Sequence, residues 1–131
     1  MSYAAAAALQ AAVFQHLTAA PALAGVAIYD AVPPDPASPF VLVGTEEARD
    51  ASDKTGAGAD HRLSVAVIGD GTGFLAVKTI AAAISDQLTG AALVLTRGRL
   101  VGLTFDRAQA RRIDEGEVRR IDLTFRARVE L

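Results

Sequence analysis

The sequence predicts an α+β fold: a mixed, mainly antiparallel sheet with two helices packed on one face and a long C-terminal β-hairpin, in a single domain spanning residues 1–131. Three observations predict it. Two segments carry apolar residues at helical spacing. The last third of the chain alternates apolar and polar residues along two arms. Four of the five prolines sit together in Ala31–Pro39, an extended loop that cannot be a central strand.

The first helix is expected from about Tyr3 to Ala19. Ser2 is placed to cap it, Leu9, Val13 and Leu17 form a stripe with Ala5, Ala12 and Ala20, and Pro21 ends it. Gly25–Tyr29 reads as a short strand and Phe40–Glu47 as a longer one. Asp50–Asp60, with Gly56, Gly58 and mostly small or polar neighbours, reads as a flexible excursion, expected to order on assembly. Leu63, Val65 and Val67 alternate with Arg62, Ser64 and Ala66 as in a half-buried strand. The second helix is the clearest element: Phe74, Val77, Ile80, Ala81, Ile84 and Leu88 share a face, and Gly90 stands where a left-handed C-cap is wanted. After the apolar run Leu93–Leu95 comes the hairpin, with Val101, Leu103 and Phe105 on one arm and Ile121, Leu123, Phe125, Ala127 and Val129 on the other. Its turn falls near Asp114-Glu115-Gly116. Arms of about 12 residues would be roughly 40 Å long, more than a domain with a radius of gyration near ~14 Å accommodates. The tip, about Arg107 to Arg119, is therefore expected to project and to want a partner.

Composition narrows the function. The chain has 51% hydrophobic and 21% charged residues, so it is globular, but 28 alanines and only 5% aromatics make the core thin and point to stability gained from neighbouring subunits. With no Cys there is no disulfide, thiolate metal site or cysteine nucleophile, which fits a reducing cytoplasm. No apolar run approaches the roughly 20 residues of a membrane span, and the N-terminus has no basic stretch of the signal-peptide kind. The net charge of −2 is unlike a general nucleic-acid binder. It is also unevenly distributed. Residues 1–96 hold 4 Lys+Arg against 9 Asp+Glu, a net of −5, whereas residues 97–131 hold 9 Arg against 6 acids, a net of +3. That split suits either a solvated strand face or an electrostatic contact between copies.

Motifs for catalysis or cofactors are weak. Gly69-Asp70-Gly71-Thr72-Gly73 follows a strand and opens a helix, yet it lacks the GxxxxGK[ST] pattern and the GxGxxG frame, so it reads as a structural turn with an Asp or Thr cap. His16 lies in the apolar arc of the first helix and reads as a packed histidine with one hydrogen-bond partner. His61, beside Asp60, reads as a surface residue. None of the five serines lies in GxSxG, and the pairs Glu46-Glu47 and Asp114-Glu115 are sequence neighbours on exposed segments, not a convergent acid/base pair. The residues therefore predict no enzyme, cofactor or metal.

Several stretches resemble the tail-terminator (tail completion) family of long-tailed phages, in the form carried by bacterial gene transfer agents. They are Met1-Ser2-Tyr3 with the Ala-rich helix through Phe14-Gln15-His16-Leu17, Arg49-Asp50-Ala51-Ser52-Asp53-Lys54-Thr55-Gly56, the Phe74–Leu88 helix, Arg107-Ala108-Gln109-Ala110-Arg111-Arg112, and Gly116-Glu117-Val118 onward through Arg128. The resemblance covers nearly the whole chain. It implies a hexameric ring that caps the tail tube, stops its polymerisation, and meets the head-side stopper while double-stranded DNA passes without sequence-specific binding. It also implies a chain made in the cytoplasm and built into the head-proximal end of the tail. The residues by themselves also admit a neighbouring head–tail connector or a small cytosolic ligand-binding domain. The expected contact residues are Arg107, Arg111, Arg112, Asp114, Glu115, Glu117, Arg119 and Arg120 on the hairpin, and Asp50, Asp53 and Lys54 in the excursion.

Overall fold

The structure, a computed structural model, describes residues 3–71 and 73–131. Ser2, read as the cap of the first helix, and Thr72, read as a possible cap of the second, lie outside the described residues. The elements in chain order are α1 (Ala6–Ala19), β1 (Ala27–Tyr29), β2 (Phe40–Asp50), β3 (Gly58–Gly69), α2 (Leu75–Leu88), β4 (Arg99–Ile113) and β5 (Val118–Glu130). The strands form one sheet in the order β1-β2-β3-β5-β4. β1 runs parallel to β2, and every other pairing is antiparallel.

Facing residues on neighbouring antiparallel strands point to the same side of a sheet. The rungs Val41–Val67–Ile121 and Val43–Val65–Leu123 are therefore the inner face, and all six side chains are buried. Leu9, Val13 and Leu17 of α1 and Val77, Ala81, Ile84 and Leu88 of α2 complete one core against them. Each fully buried Val or Leu here contributes roughly 1.5–3 kcal/mol relative to exposure. Two glycines have specific duties. Gly90 ends α2 at φ +74, and its N–H bonds the Leu103 carbonyl at 2.8 Å, tying the helix end to β4. Gly69 ends β3 where an added Cβ would lie 2.9 Å from Val77 Cγ1, so α2 approaches the strand over a position with no side chain.

Several expectations change in the folded chain. The hairpin is not a free ribbon, because β3 is 12 residues long and pairs with β5 from Gly58–Glu130 to Gly69–Arg119. Only the turn between Ile113 and Val118 lies beyond that ladder. The Asp50–Asp60 excursion is shorter than its composition suggests. Asp50 pairs with Ala59 and Arg49 with Asp60 within the β2–β3 ladder, leaving 51–57 as the turn. That turn is closed by Ala51 N–H to Gly58 O at 2.9 Å and Asp53 N–H to Gly56 O at 3.0 Å. The apolar run Leu93–Leu95 before the hairpin is irregular, with Val94 92% exposed. Asp70 does not cap α2; it accepts a hydrogen bond from the Ser38 hydroxyl at 2.6 Å and ties its loop to the proline segment.

Candidate assembly interface

Extra residues in the strands decide which charged side chains face where. β2 carries one extra residue between the Val43–Val65 and Glu46–Leu63 pairs. This bulge exchanges the inward and outward positions, so Glu46 turns toward the helices and Glu47 away from them. Gly44 in the bulge has φ +151, and Gln10 of α1 reaches it, donating to Asp30 Oδ1 at 2.7 Å and to the Val43 carbonyl at 3.3 Å. Glu46 then meets His61, whose side chain is fully buried, at 3.0 Å from Nδ1 to Oε2. His61 is thus not a surface residue. It shares its side with Leu63, Val65 and Val67, and carrying that alternation back one step would have placed it inside. Tyr3 stacks on it at 6.4 Å. His16 does pack as a single-partner histidine, its Nε2 donating to the Gln87 carbonyl at 2.9 Å.

The outer face of the sheet is the charged one. Its paired positions on β3, β5 and β4 hold seven arginines, Arg62, Arg99, Arg107, Arg111, Arg120, Arg126 and Arg128, against Asp60, Asp122 and Glu130. The acids hold several of these in place. Asp122 accepts from Arg120 at 3.0 Å and Arg111 at 3.3 Å, and Asp60 lies 3.2 Å from Arg126 and 3.8 Å from Arg128. Arg99 pairs with Glu130. One open depression on this face is lined by Asp60, Thr104, Arg126 and Arg128.

The arginines expected at the interface therefore separate into two groups. Arg107 and Arg111 lie on the outer face and are exposed, with Arg120 half-buried beside them. Arg112 and Arg119 form a rung on the inner side. Their guanidinium groups sit 5.7 and 5.5 Å from the centroid of the Phe74 ring, which Lys78 Nζ approaches at 5.4 Å. Arg119 also donates to the Gly116 carbonyl. These two arginines hold the hairpin onto the start of α2. Asp114, Glu115 and Glu117 are exposed in the turn, where Asp114 and Glu115 have φ of 52 and 56.

Asp50, Asp53 and Lys54 are not brought to the hairpin turn. The β2–β3 turn adjoins the Gly58–Glu130 end of the ladder and the hairpin turn its Gly69–Arg119 end, roughly 36 Å apart at strand rise. The acids at this end of β2 are held ionised. Hydrogen bonding and charge from Arg49 keep Glu47 below the usual carboxylate range, the Ser52 hydroxyl does the same for Asp50, and the Thr55 hydroxyl with the Thr55 and Gly56 amides does so for Asp53. Among the described residues no group of three His, Asp or Glu is placed to hold a metal ion, and no helix is long and apolar enough to cross a membrane.

A two-helix, five-stranded domain whose conspicuous surfaces are charged sheet margins and two turns at opposite ends has the form of an assembly subunit. The family called Tail completion protein gp17 matches residues 11–130. A chain from a structure described as the virion of a native gene transfer agent (GTA) particle is 59% identical, with a TM-score of 0.93, covering 98% of this chain and 99% of that one. No curated protein matches the chain. The chain belongs to the tail completion protein gp17 family and is of the gene transfer agent type.

Proposed function

We propose that the chain is the tail terminator of a gene-transfer-agent particle: a structural, non-enzymatic subunit of a hexameric ring that caps the tail tube, stops its growth and joins it to the head-side stopper. The observation that carries this reading is the 59% identity over 98% of the chain to a component of such a virion. The fold supports it. A ring between two partners needs docking features on opposite sides, and the hairpin turn (Asp114, Glu115, Glu117) and the β2–β3 turn (Asp53, Lys54) lie at opposite ends of the sheet. One domain with a radius of gyration of about 14 Å does not encircle a duplex, so a channel requires several copies with head-to-tail contacts that close. The family resemblance implies that DNA passes without sequence-specific binding, and the ion pairs of Arg99, Arg111, Arg120, Arg126 and Arg128 with acids weaken any hold on the DNA backbone. The chain is made in the cytoplasm and ends in the head-proximal part of the tail.

The experiment is deletion of the gene followed by electron microscopy of the particles. Tails of uncontrolled length and heads without tails are expected; uniform, attached tails would refute the reading. Imaging the ring in intact particles separates terminator from stopper, since the stopper would sit on the head side of the joint.

A further inference from the structure

The sheet ends in two margins of opposite character. β4 is 15 residues long and pairs through one edge with β5; among the described residues no strand covers its other edge. Strands usually run to about 5–6 residues, and exposed edges are normally shortened, covered, or broken by Lys or Pro. β4 contains neither Lys nor Pro, and beyond its bulge at Phe105/Arg107 it runs unbroken to Ile113. Every residue from Thr104 to Arg112 is exposed. At the other margin β1 covers only Phe40–Leu42 of β2, and among the described residues no strand pairs with the outer edge of Thr45–Asp50. The first edge carries Arg107, Arg111 and Arg112 against Asp106; the second carries Glu47 and Asp50 against Arg49, with Glu46 turned inward onto His61.

We propose that neighbouring copies of this chain join by β-strand addition, the outer edge of β4 in one copy pairing antiparallel with the Thr45–Asp50 edge of β2 in the next. The inference rests on the ring reading and specifies its contact. Direction follows from topology. β2 and β5 run one way, β3 and β4 the other. Rotation about an axis along the strands preserves those directions, so β4 meets the next β2 antiparallel, the more stable pairing. The contact is heterologous, and repeating it until the last β4 meets the first β2 closes a ring in which the Thr45–Asp50 edge and the stretch of β4 facing it are covered. The more basic edge meets a more acidic one, and the exposed Phe105 of β4, beside Arg107, gains cover.

Cysteine cross-linking tests this directly, because the chain has no Cys of its own. Within one copy β2 and β4 are separated by β3 and β5, about 14 Å at the usual strand spacing. A disulfide spans at most roughly 7 Å between Cα atoms, so any bridge between these strands joins two copies. Glu47→Cys is combined in turn with Thr104→Cys, Arg107→Cys, Gln109→Cys and Arg111→Cys, all exposed positions on one sheet face, to scan the stagger in assembled particles. At least one combination is expected to give a reductant-sensitive ladder of multimers up to the closed ring, while each single-cysteine variant stays a monomer band. In parallel, Arg107→Glu/Arg111→Glu should abolish assembly, and adding Glu47→Arg/Asp50→Arg should restore it. Normally tailed particles with a ring visible by native mass spectrometry but no bridge in any combination would overturn this contact and leave the ring standing. A β4 cysteine bridged to a different particle protein would also overturn it and give the edge to that partner. A single copy of the chain per particle would remove the ring, and this contact with it.

Discussion

Removing Glu46 should destabilise the fold far more than its position on a charged strand suggests. The His61 side chain is 0% exposed and that of Glu46 15%, with 3.0 Å between Nδ1 and Oε2. His61 Nε2 has no partner, so the carboxylate is the single hydrogen-bond partner of the ring. Glu46→Ala leaves a buried donor unsatisfied, which costs roughly 1–3 kcal/mol. For a chain of this length each kcal/mol lowers Tm by about 3–4 °C, so the expected drop is roughly 3–12 °C. Replacing both partners by apolar side chains removes the polar groups together and should cost less than the two single changes combined. The assay is a double-mutant cycle of Glu46→Leu, His61→Leu and the pair, by thermal unfolding at pH 7 with Glu117→Ala as an exposed control. The oligomeric state is held fixed across the set, because assembly itself shifts Tm. A Glu46→Ala Tm within error of the Glu117→Ala value, or a cycle additive to within about 0.5 kcal/mol, would refute the reasoning.

Other perturbations have equally definite outcomes. Phe125→Ala removes a fully buried ring that meets Phe105 edge-on at 5.9 Å, and should cost about 3–5 kcal/mol in chemical denaturation. Arg112→Ala should lower stability by roughly 0.5–1 kcal/mol through its contact with Phe74, while Arg107→Ala stays within about 0.5 kcal/mol of the parent; equal effects would remove the division of the hairpin arginines into two groups. Asp53 titrates below its ordinary value because the Thr55 hydroxyl and the Thr55 and Gly56 amides bond its ionised form. A depressed carboxylate adds stability above the unfolded-state value, about 3.9, and loses it as pH falls through the folded-state value. The Tm gap between parent and Asp53→Ala should accordingly be constant from neutral pH down to about 5 and close below about 4; a gap that widens on acidification would contradict this assignment.

The sequence was legible where periodicity was strong and local. Val77, Ala81, Ile84 and Leu88 face the core as their spacing requires, and the alternation from Ile121 to Val129 runs through β5 without interruption. It was less legible where one residue changes the register. The bulge after Val43 turns Glu46 inward, and a reading of β2 as plain alternation has no means of choosing Glu46 over Glu47. The hairpin illustrates a second limit. Its arm lengths were evident, but only the β3–β5 pairing, made across more than 50 residues of chain, shows β5 to be central and β4 alone to be the margin. Among the site residues, the contact with the Phe74 ring separates Arg112 from Arg111, and nothing in an Arg-Arg dipeptide announces which of the two a distant aromatic ring will claim.

The chemistry of the outer face bears on where neighbouring copies can touch. A dry subunit contact across that face would bury seven arginines on β3, β5 and β4 with Asp60, Asp122, Glu130 and, at the β4 bulge, Asp106. The unmatched cations would lose hydration without compensating partners, at several kcal/mol per ion. The inner face is already occupied by α1 and α2. What remains for extensive contact is the rim of the sheet, where backbone N–H and C=O groups can pair and the charges of β2 and β4 can oppose one another without leaving water entirely. An alanine-rich chain fits that arrangement. Ala5, Ala6 and Ala8 are buried beside Leu9, Val13 and Leu17, filling the inner layer with small side chains that contribute little area each, so under the proposed contact a larger share of the subunit's stability would come from strand pairing at its edges. In the proposed ring the outer face, wet and rich in arginine, would be left to face water.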